Sequence, residues 1–123
     1  MIETQVTREG TVVESILFDS PPVRVIAVPG KRLDIRHIEA FRRQVEDVFV
    51  PNIQVVFDFS RVEKIDSAAI GDVLGIKREL DSRGGQLKLS GLSERIYRTF
   101  ETLRIHTVLE IYDTVEDAVR SYG

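Results

Sequence analysis

Along this chain, short apolar runs give way four times to longer stretches in which apolar residues recur every three or four positions. That alternation constrains the fold more than any other feature. A short apolar run reads as a strand and a three-to-four spacing as a helix; strands joined through helices pair in parallel by right-handed crossovers. Before the alternation begins, "TVVESILF" and "VRVIAVPG" are two β-rich runs separated by "DSPP". Two prolines cannot continue a central strand, so these runs predict a hairpin with a turn longer than two residues.

The helices follow in order. "LDIRHIEAFRRQVEDVF" carries Ile35, Ile38, Phe41, Val45 and Val48 at helical spacing, with Asp34 as N-cap and Pro51 as terminator. "NIQVVFDFS" is apolar nearly throughout, as a strand buried on both faces is. Its Asp58 belongs at the strand end, since a carboxylate inside would need a partner. From Ser67 a second helix runs through "AAIGDVLGIKRELDSR" and stops at Gly84 and Gly85. "QLKLSG" is a strand, "SERIYRTFETLRI" a helix capped by Ser93, and "VLEIY" a last strand. "DTVEDAVRSYG" closes as a helix with Asp113 and Glu116 at capping-box spacing. The expected fold is α/β: a mixed, mostly parallel sheet with an N-terminal hairpin strand and about four helices. One domain over 1–123 is expected, with a short extra segment over about 1–10.

Several function classes fall away. A net charge of −3 without a basic run argues against direct nucleic-acid binding. With no cysteine there is neither a disulfide nor a thiol nucleophile, and no carboxylate or histidine cluster has metal spacing. The glycines compose neither a P-loop nor a dinucleotide fingerprint, so no cofactor is expected. The first fifteen residues lack a signal-peptide pattern, and no apolar run approaches the ~20 residues that span a bilayer. The expected address is the cytoplasm, with no membrane insertion. His37 and His106 have no partner motif, so both read as solvated or loosely packed, and Ser67 lacks the general base a nucleophile needs. No enzyme is expected.

Loops outside the carboxyl ends of parallel strands are where such sheets carry function. Here they are "PGKRLD", "SRVEKIDS" and "SGLS". The pair Asp66-Ser67 has two readings. Either side chain can cap the helix, worth about 1 kcal/mol. Alternatively, Ser67 is a modification site: a phosphate at a helix N-terminus gains from the dipole and the free amides, while adding nearly two charges beside Asp66. Lys31 and Arg32 are either a solvated loop or an ionic contact to a partner on the same edge. Gly71 and Gly75 each cost about 1 kcal/mol inside a helix, which points to close packing on the sheet or on a partner.

The run "VVFDFSRVEKIDSAAIGDVLGIKRELDSRGGQLKLSGLSERIYRTFETLRIHTVLEIYDTVEDAV" resembles a STAS domain, the fold of bacterial anti-sigma factor antagonists. The resemblance rests on "IDSAAIG", "RGGQLKLSGLS" and "FETLRIHTVLEIYDTVEDAV" together. It implies a switching protein with no catalysis of its own. Ser67 would be the phosphoacceptor and Asp66 its motif neighbour; the partner would be a combined anti-sigma factor and serine kinase, and a phosphatase would reset the label. The partner-binding set implied on this edge is Gly30, Lys31, Arg32, Ser60, Asp66, Ser67, Ala68 and Gly71. The motif departs from the usual one at Ala68, where a second hydroxyl is common, and at Ala69 and Ile70, which replace glycine and leucine. Ser67 would serve alone, and Ala69 bears on how closely a kinase approaches. Two other readings stay open. One is a STAS scaffold subunit of a stress-sensing or transporter complex, not switched at Ser67. The other is a small enzyme or nucleotide binder using the same loops. "PPVRVIAVPG" and the hairpin edge offer a surface for a homodimer without demanding one.

Overall fold

A computed structural model describes residues 2–6, 12–16, 22–46 and 49–123. Its strands are β1 (Ile2–Val6), β2 (Val12–Ile16), β3 (Val23–Ala27), β4 (Arg32–Leu33), β5 (Gln54–Asp58), β6 (Lys64–Ile65), β7 (Gln86–Ser90) and β8 (Glu110–Tyr112). The helices are α1 (Ile35–Val45), α2 (Ser67–Ser82), α3 (Glu94–Thr102) and α4 (Val115–Arg120). Six strands form one sheet in the order β1-β2-β3-β5-β7-β8, and β4 with β6 forms a separate two-stranded ladder. From β3 onward the large sheet is parallel, whereas β1, β2 and β3 pair antiparallel.

The expected hairpin is β2 with β3, in a register that sets Val13 opposite Ile26. Most of its turn, including Asp19, Ser20 and Pro21, lies outside the described residues, as does Val48. The surprise is β1, inside the stretch expected as an extra segment. All five of its residues are exposed. A strand that buries nothing leaves no apolar pattern to read.

Helices cover both faces of the sheet. On one face Val55, Phe57, Leu87 and Leu89 meet Phe41, Val73, Ile76 and Phe100. On the other, Val23, Val25 and Val56 meet Ala118 and Val119 of α4. The nearly unbroken apolar run of β5 follows from this, since Val55 and Val56 face opposite layers and both are fully buried.

The caps follow local chemistry. Asp34 accepts hydrogen bonds from the amides of Arg36 and His37 and starts α1, and Ser93 accepts from Ile96 at 3.2 Å to start α3. Helix α2 ends in a Schellman turn: Gly85 N donates to Leu80 O at 2.8 Å and Gly84 N to Asp81 O at 3.1 Å, with Gly84 at φ +77°. Two expectations need correction. Pro51 does not terminate α1, which stops at Val45; the chain turns earlier so that Phe49, only 4% exposed, joins the core. The cap of α4 is Thr114 rather than Asp113, its hydroxyl accepting from Asp117 N at 3.1 Å.

Helix α4 and the C-terminal turn are tied to the sheet by polar contacts the sequence did not reveal. Lys88 is only 4% exposed. Its Nζ donates to Ser121 Oγ at 2.7 Å, lies 3.5 Å from Glu110 Oε2 and stacks 4.0 Å from the Tyr122 ring centroid. The Tyr122 hydroxyl donates to the backbone of β5, 2.8 Å from Val55 O. Burial raises the Tyr122 pKa above its ordinary value of 10.0. The folded state therefore keeps the phenol neutral while the unfolded chain ionises, and this contribution, complete below pH 10, fades as the pH rises past it. Tyr122→Phe is expected to cost about 1 kcal/mol at pH 8 through the lost hydrogen bond. In urea unfolding followed upward from pH 10, the gap between the two proteins should narrow.

Candidate functional site at the carboxyl edge of the sheet

The loops that leave β3 and β5 are clipped together. Val28 N donates to Asp58 O at 2.9 Å where the strands end, and Lys31 O accepts from Glu63 N at 2.7 Å and from Lys64 N at 3.0 Å. In the β4–β6 ladder Arg32 stands opposite Lys64 and Leu33 opposite Ile65. Asp66 N then donates to Leu33 O at 3.2 Å. Leu33 is 1% exposed, so the clip is pinned to the core from beneath. Its product is a fixed position for Asp66 at the start of α2.

Asp66 is the cap. Its backbone is extended at φ −98°, and Oδ1 accepts from Ala69 N at 2.8 Å. Ser67 is the first helical residue, and its hydroxyl makes no hydrogen bond among the described residues. The two readings of the pair therefore separate: the acid caps, and the exposed hydroxyl is left unengaged. Ala68 is exposed as well, whereas Ala69 and Ile70 are buried. The methyl of Ala69 joins the core, so it does not stand between Ser67 and an approaching protein. Asp66→Ala is expected to lower stability by about 1 kcal/mol and Asp66→Asn by much less, read from urea midpoints.

Asp58 sits at the strand end, as expected. Its Oδ1 accepts from Ser60 N at 3.0 Å and holds the exposed Ser60 at the top of the loop. Gly91, which the sequence reading passed over, crosses just above: at φ +71°, an added Cβ would lie 3.0 Å from Asp58 Oδ1 and 3.2 Å from Ser60 N. A glycine directly after a strand was the available signal. Asp34, beside this loop, bonds the exposed His37 ring at 2.7 Å. The hydrogen bond from the His37 amide is the chief cause that holds the Asp34 carboxyl below its ordinary pKa. His37 is thus not simply solvated, since it is part of a cap.

Gly30, Lys31 and Arg32 are exposed on the loop that the clip joins to Asp66-Ser67. Gly71 is exposed one turn beyond Ser67, and a Cβ added there meets nothing within 4 Å. Gly75 is no closer to the sheet: its added Cβ meets Arg42 Nη1 at 3.9 Å. The reading that these glycines pack α2 on the sheet is overturned, because Ala69, Val73, Ile76 and Leu80 occupy its buried face. Gly71→Ala is therefore expected to raise stability by about 0.8–1 kcal/mol, seen as a higher Tm.

Two shallow hollows flank β6. One, of about 340 Å³, is lined by Arg32, Leu33, Asp34, Lys64, Ile65 and Asp66. The other, of about 250 Å³, is lined by Glu63, Lys64, Ile65, Arg95, Ile96 and Thr99. Among the described residues, no three metal-ligating side chains gather, and no helix is long and apolar enough to cross a membrane.

Residues 18–118 match the STAS domain, and the chain belongs to the STAS-domain family of anti-sigma factor antagonists. The anti-sigma-B factor antagonist of Listeria monocytogenes is 35% identical over 100 residues, covering 70% of this chain and 88% of its own. Solved structures share the fold, two of them as follows. A Thermotoga maritima protein named as an anti-sigma factor antagonist superposes with a TM-score of 0.71 at 22% identity, over 98% of this chain and 93% of its own. The Bacillus cell fate determinant SpoIIAA in its phosphorylated form gives 0.62 at 21% identity, over 100% of both chains.

Proposed function

We propose that this protein is an anti-sigma factor antagonist whose binding is switched by phosphorylation of Ser67. The observation that carries the reading is the unengaged hydroxyl of Ser67, exposed at the first residue of α2 because Asp66 alone supplies the cap. The unmodified chain binds a partner that is both anti-sigma factor and serine kinase, through the face formed by 30–32, Ser60, 66–68 and Gly71. It has no reaction of its own and works in the cytoplasm, where the kinase finds its ATP.

The kinase transfers the γ-phosphoryl group of ATP. Ser67 Oγ forms the new P–O bond, the bond to the ADP oxygen breaks, and the serine proton passes to a base on the kinase. The free amides at the start of α2 and the helix dipole accommodate the phosphate, so the fold survives. The interface does not, because nearly two negative charges now stand beside the Asp66 carboxylate and would have to be desolvated with it. A phosphatase restores the neutral hydroxyl by hydrolysis.

The test is peptide mass spectrometry of the chain isolated from its host, growing and stressed. A phosphate on Ser67 whose occupancy changes with condition is the expected result. A Ser67 unmodified in every condition would overturn the switch and leave a STAS scaffold as the reading to pursue.

A further inference from the structure

We infer that a second copy of this chain docks against β1, edge to edge and antiparallel, about a two-fold axis at Thr4. This stands apart from the antagonist reading and starts from a strand that is ordered without burying anything. Fixing five residues costs conformational entropy, and the side chains of β1 recover none of it, since all five are exposed. Among the described strands β1 pairs with β2 alone and ends the six-stranded sheet. Its other side presents unpaired backbone N–H and C=O groups, a template for one more strand. The common guards of such an edge are missing, because "IETQV" contains neither proline nor lysine.

The sheet face beside this edge is open as well. Directly opposed residues share a face, so Thr4 lies in one row with Glu14 and Val25, on the side of α4. There Ala118 and Val119 pack on Val23, Val25 and Val56, and β1 is left uncovered. Ile2 and Val6 point to that face and are 61% and 63% exposed, more than any other large apolar side chain described. Half-buried Val12 stands opposite Val6.

The order of the residues says what covers them. Pairing β1 with its own copy about Thr4 sets Ile2 opposite Val6, Glu3 opposite Gln5 and Thr4 opposite Thr4. Every residue then has a partner: apolar meets apolar, and the one carboxylate of the strand meets a neutral amide. Centring on Glu3 would oppose two carboxylates, and centring on Gln5 would leave Ile2 and Glu3 outside the pairing. The strand is thus complementary to itself, as a two-fold contact requires. Val12, Val6 and Ile2 of the second copy then form one apolar row. Two five-residue strands make a small contact, so this dimer forms and dissociates with concentration. Strands β2 and β3 stand between β1 and β5, whose loop leads to Ser67, so both Ser67 sites stay open in the pair.

Sedimentation velocity of the full chain from about 10 μM to about 1 mM should show a monomer passing into a dimer. In a mixture of isotope-labelled and unlabelled chains, filtered NOEs should join Ile2 of one copy to Val6 of the other. Thr4→Lys and Thr4→Glu each place like charges on the axis, so either alone should weaken the dimer about fivefold or more. Mixed together they should pair at least as well as the native chain, which shows that both are folded and that Thr4 meets Thr4. Leu103→Lys, which changes an exposed apolar residue after α3, and Ser67→Asp should dimerise as the native chain does. A chain monomeric throughout, intermolecular NOEs to other surfaces, or charge variants that pair no better mixed than alone would overturn the inference. Loss of the dimer in Leu103→Lys or Ser67→Asp would place the contact elsewhere and overturn it too. A chain that stays monomeric while its β1 amides shift on adding the anti-sigma factor kinase would assign the edge to that partner instead.

Discussion

Phe57→Ala is expected to remove about 3–5 kcal/mol of stability, the largest loss from any single truncation considered for this chain. Phe57 lies in an inner strand of the parallel set, opposite Ile26 on one side and Leu89 on the other, and is 0% exposed. Its ring meets that of Phe41 edge to face, with centroids 5.2 Å apart and planes at 72°. Alanine would leave a cavity between the sheet and α1 that neither rigid element can close. Domains of this kind hold only about 5–15 kcal/mol in total, so the variant would be partly unfolded at 37 °C. Phe57→Leu keeps most of the volume and should cost about half as much or less. Urea unfolding at 25 °C checks both, and a loss below about 1 kcal/mol for the alanine variant would refute the packing account.

Ser67→Asp is expected to weaken binding to the anti-sigma factor kinase by at least about 100-fold, roughly 2.7 kcal/mol. The fold gives no reason for this protein to unfold. An acid at the first residue of a helix gains about 0.3–1 kcal/mol from the dipole, so the thermal midpoint should hold or rise slightly. The loss falls on the complex alone, where two adjacent carboxylates must be buried together against a surface shaped for a hydroxyl. Ser67→Ala removes the acceptor and adds no charge, so it should bind within about threefold of the native chain and no longer respond to the kinase. Titration calorimetry with each variant separates the two outcomes. Native affinity in Ser67→Asp would refute the switch, however stable the protein.

Much of this was legible in the sequence, for identifiable reasons. The parallel sheet was readable because Val55 through Phe57 form an apolar run buried on both faces, and because α1, α2 and α3 each place apolar residues on one side. Caps at Asp34 and Ser93 were readable because short polar side chains preceded those apolar patterns. What failed to show lacked such a signature. Strand β1 buries none of its residues. Lys88 is buried by Tyr122 and Ser121, more than thirty residues away, a contact no local pattern encodes. Ladder β4–β6 is only two residues long on each side, too short for a period. The site was half visible: Asp66-Ser67 stood out, but their division of labour needed the hydrogen bond from Ala69 N to Asp66. Gly71 looked like a packing residue and proved to face outward, because helical spacing alone does not say which side of α2 meets the sheet.

The proposed switch requires that one phosphate on Ser67 end the complex and leave the fold alone. Its most direct measurement is calorimetric titration of the anti-sigma factor kinase with one preparation of the native chain, divided and measured before and after stoichiometric phosphorylation of Ser67. A tight one-to-one complex with the unmodified chain and no detectable binding after phosphorylation are expected, with superimposable circular dichroism spectra. Equal affinity in the two titrations would contradict it.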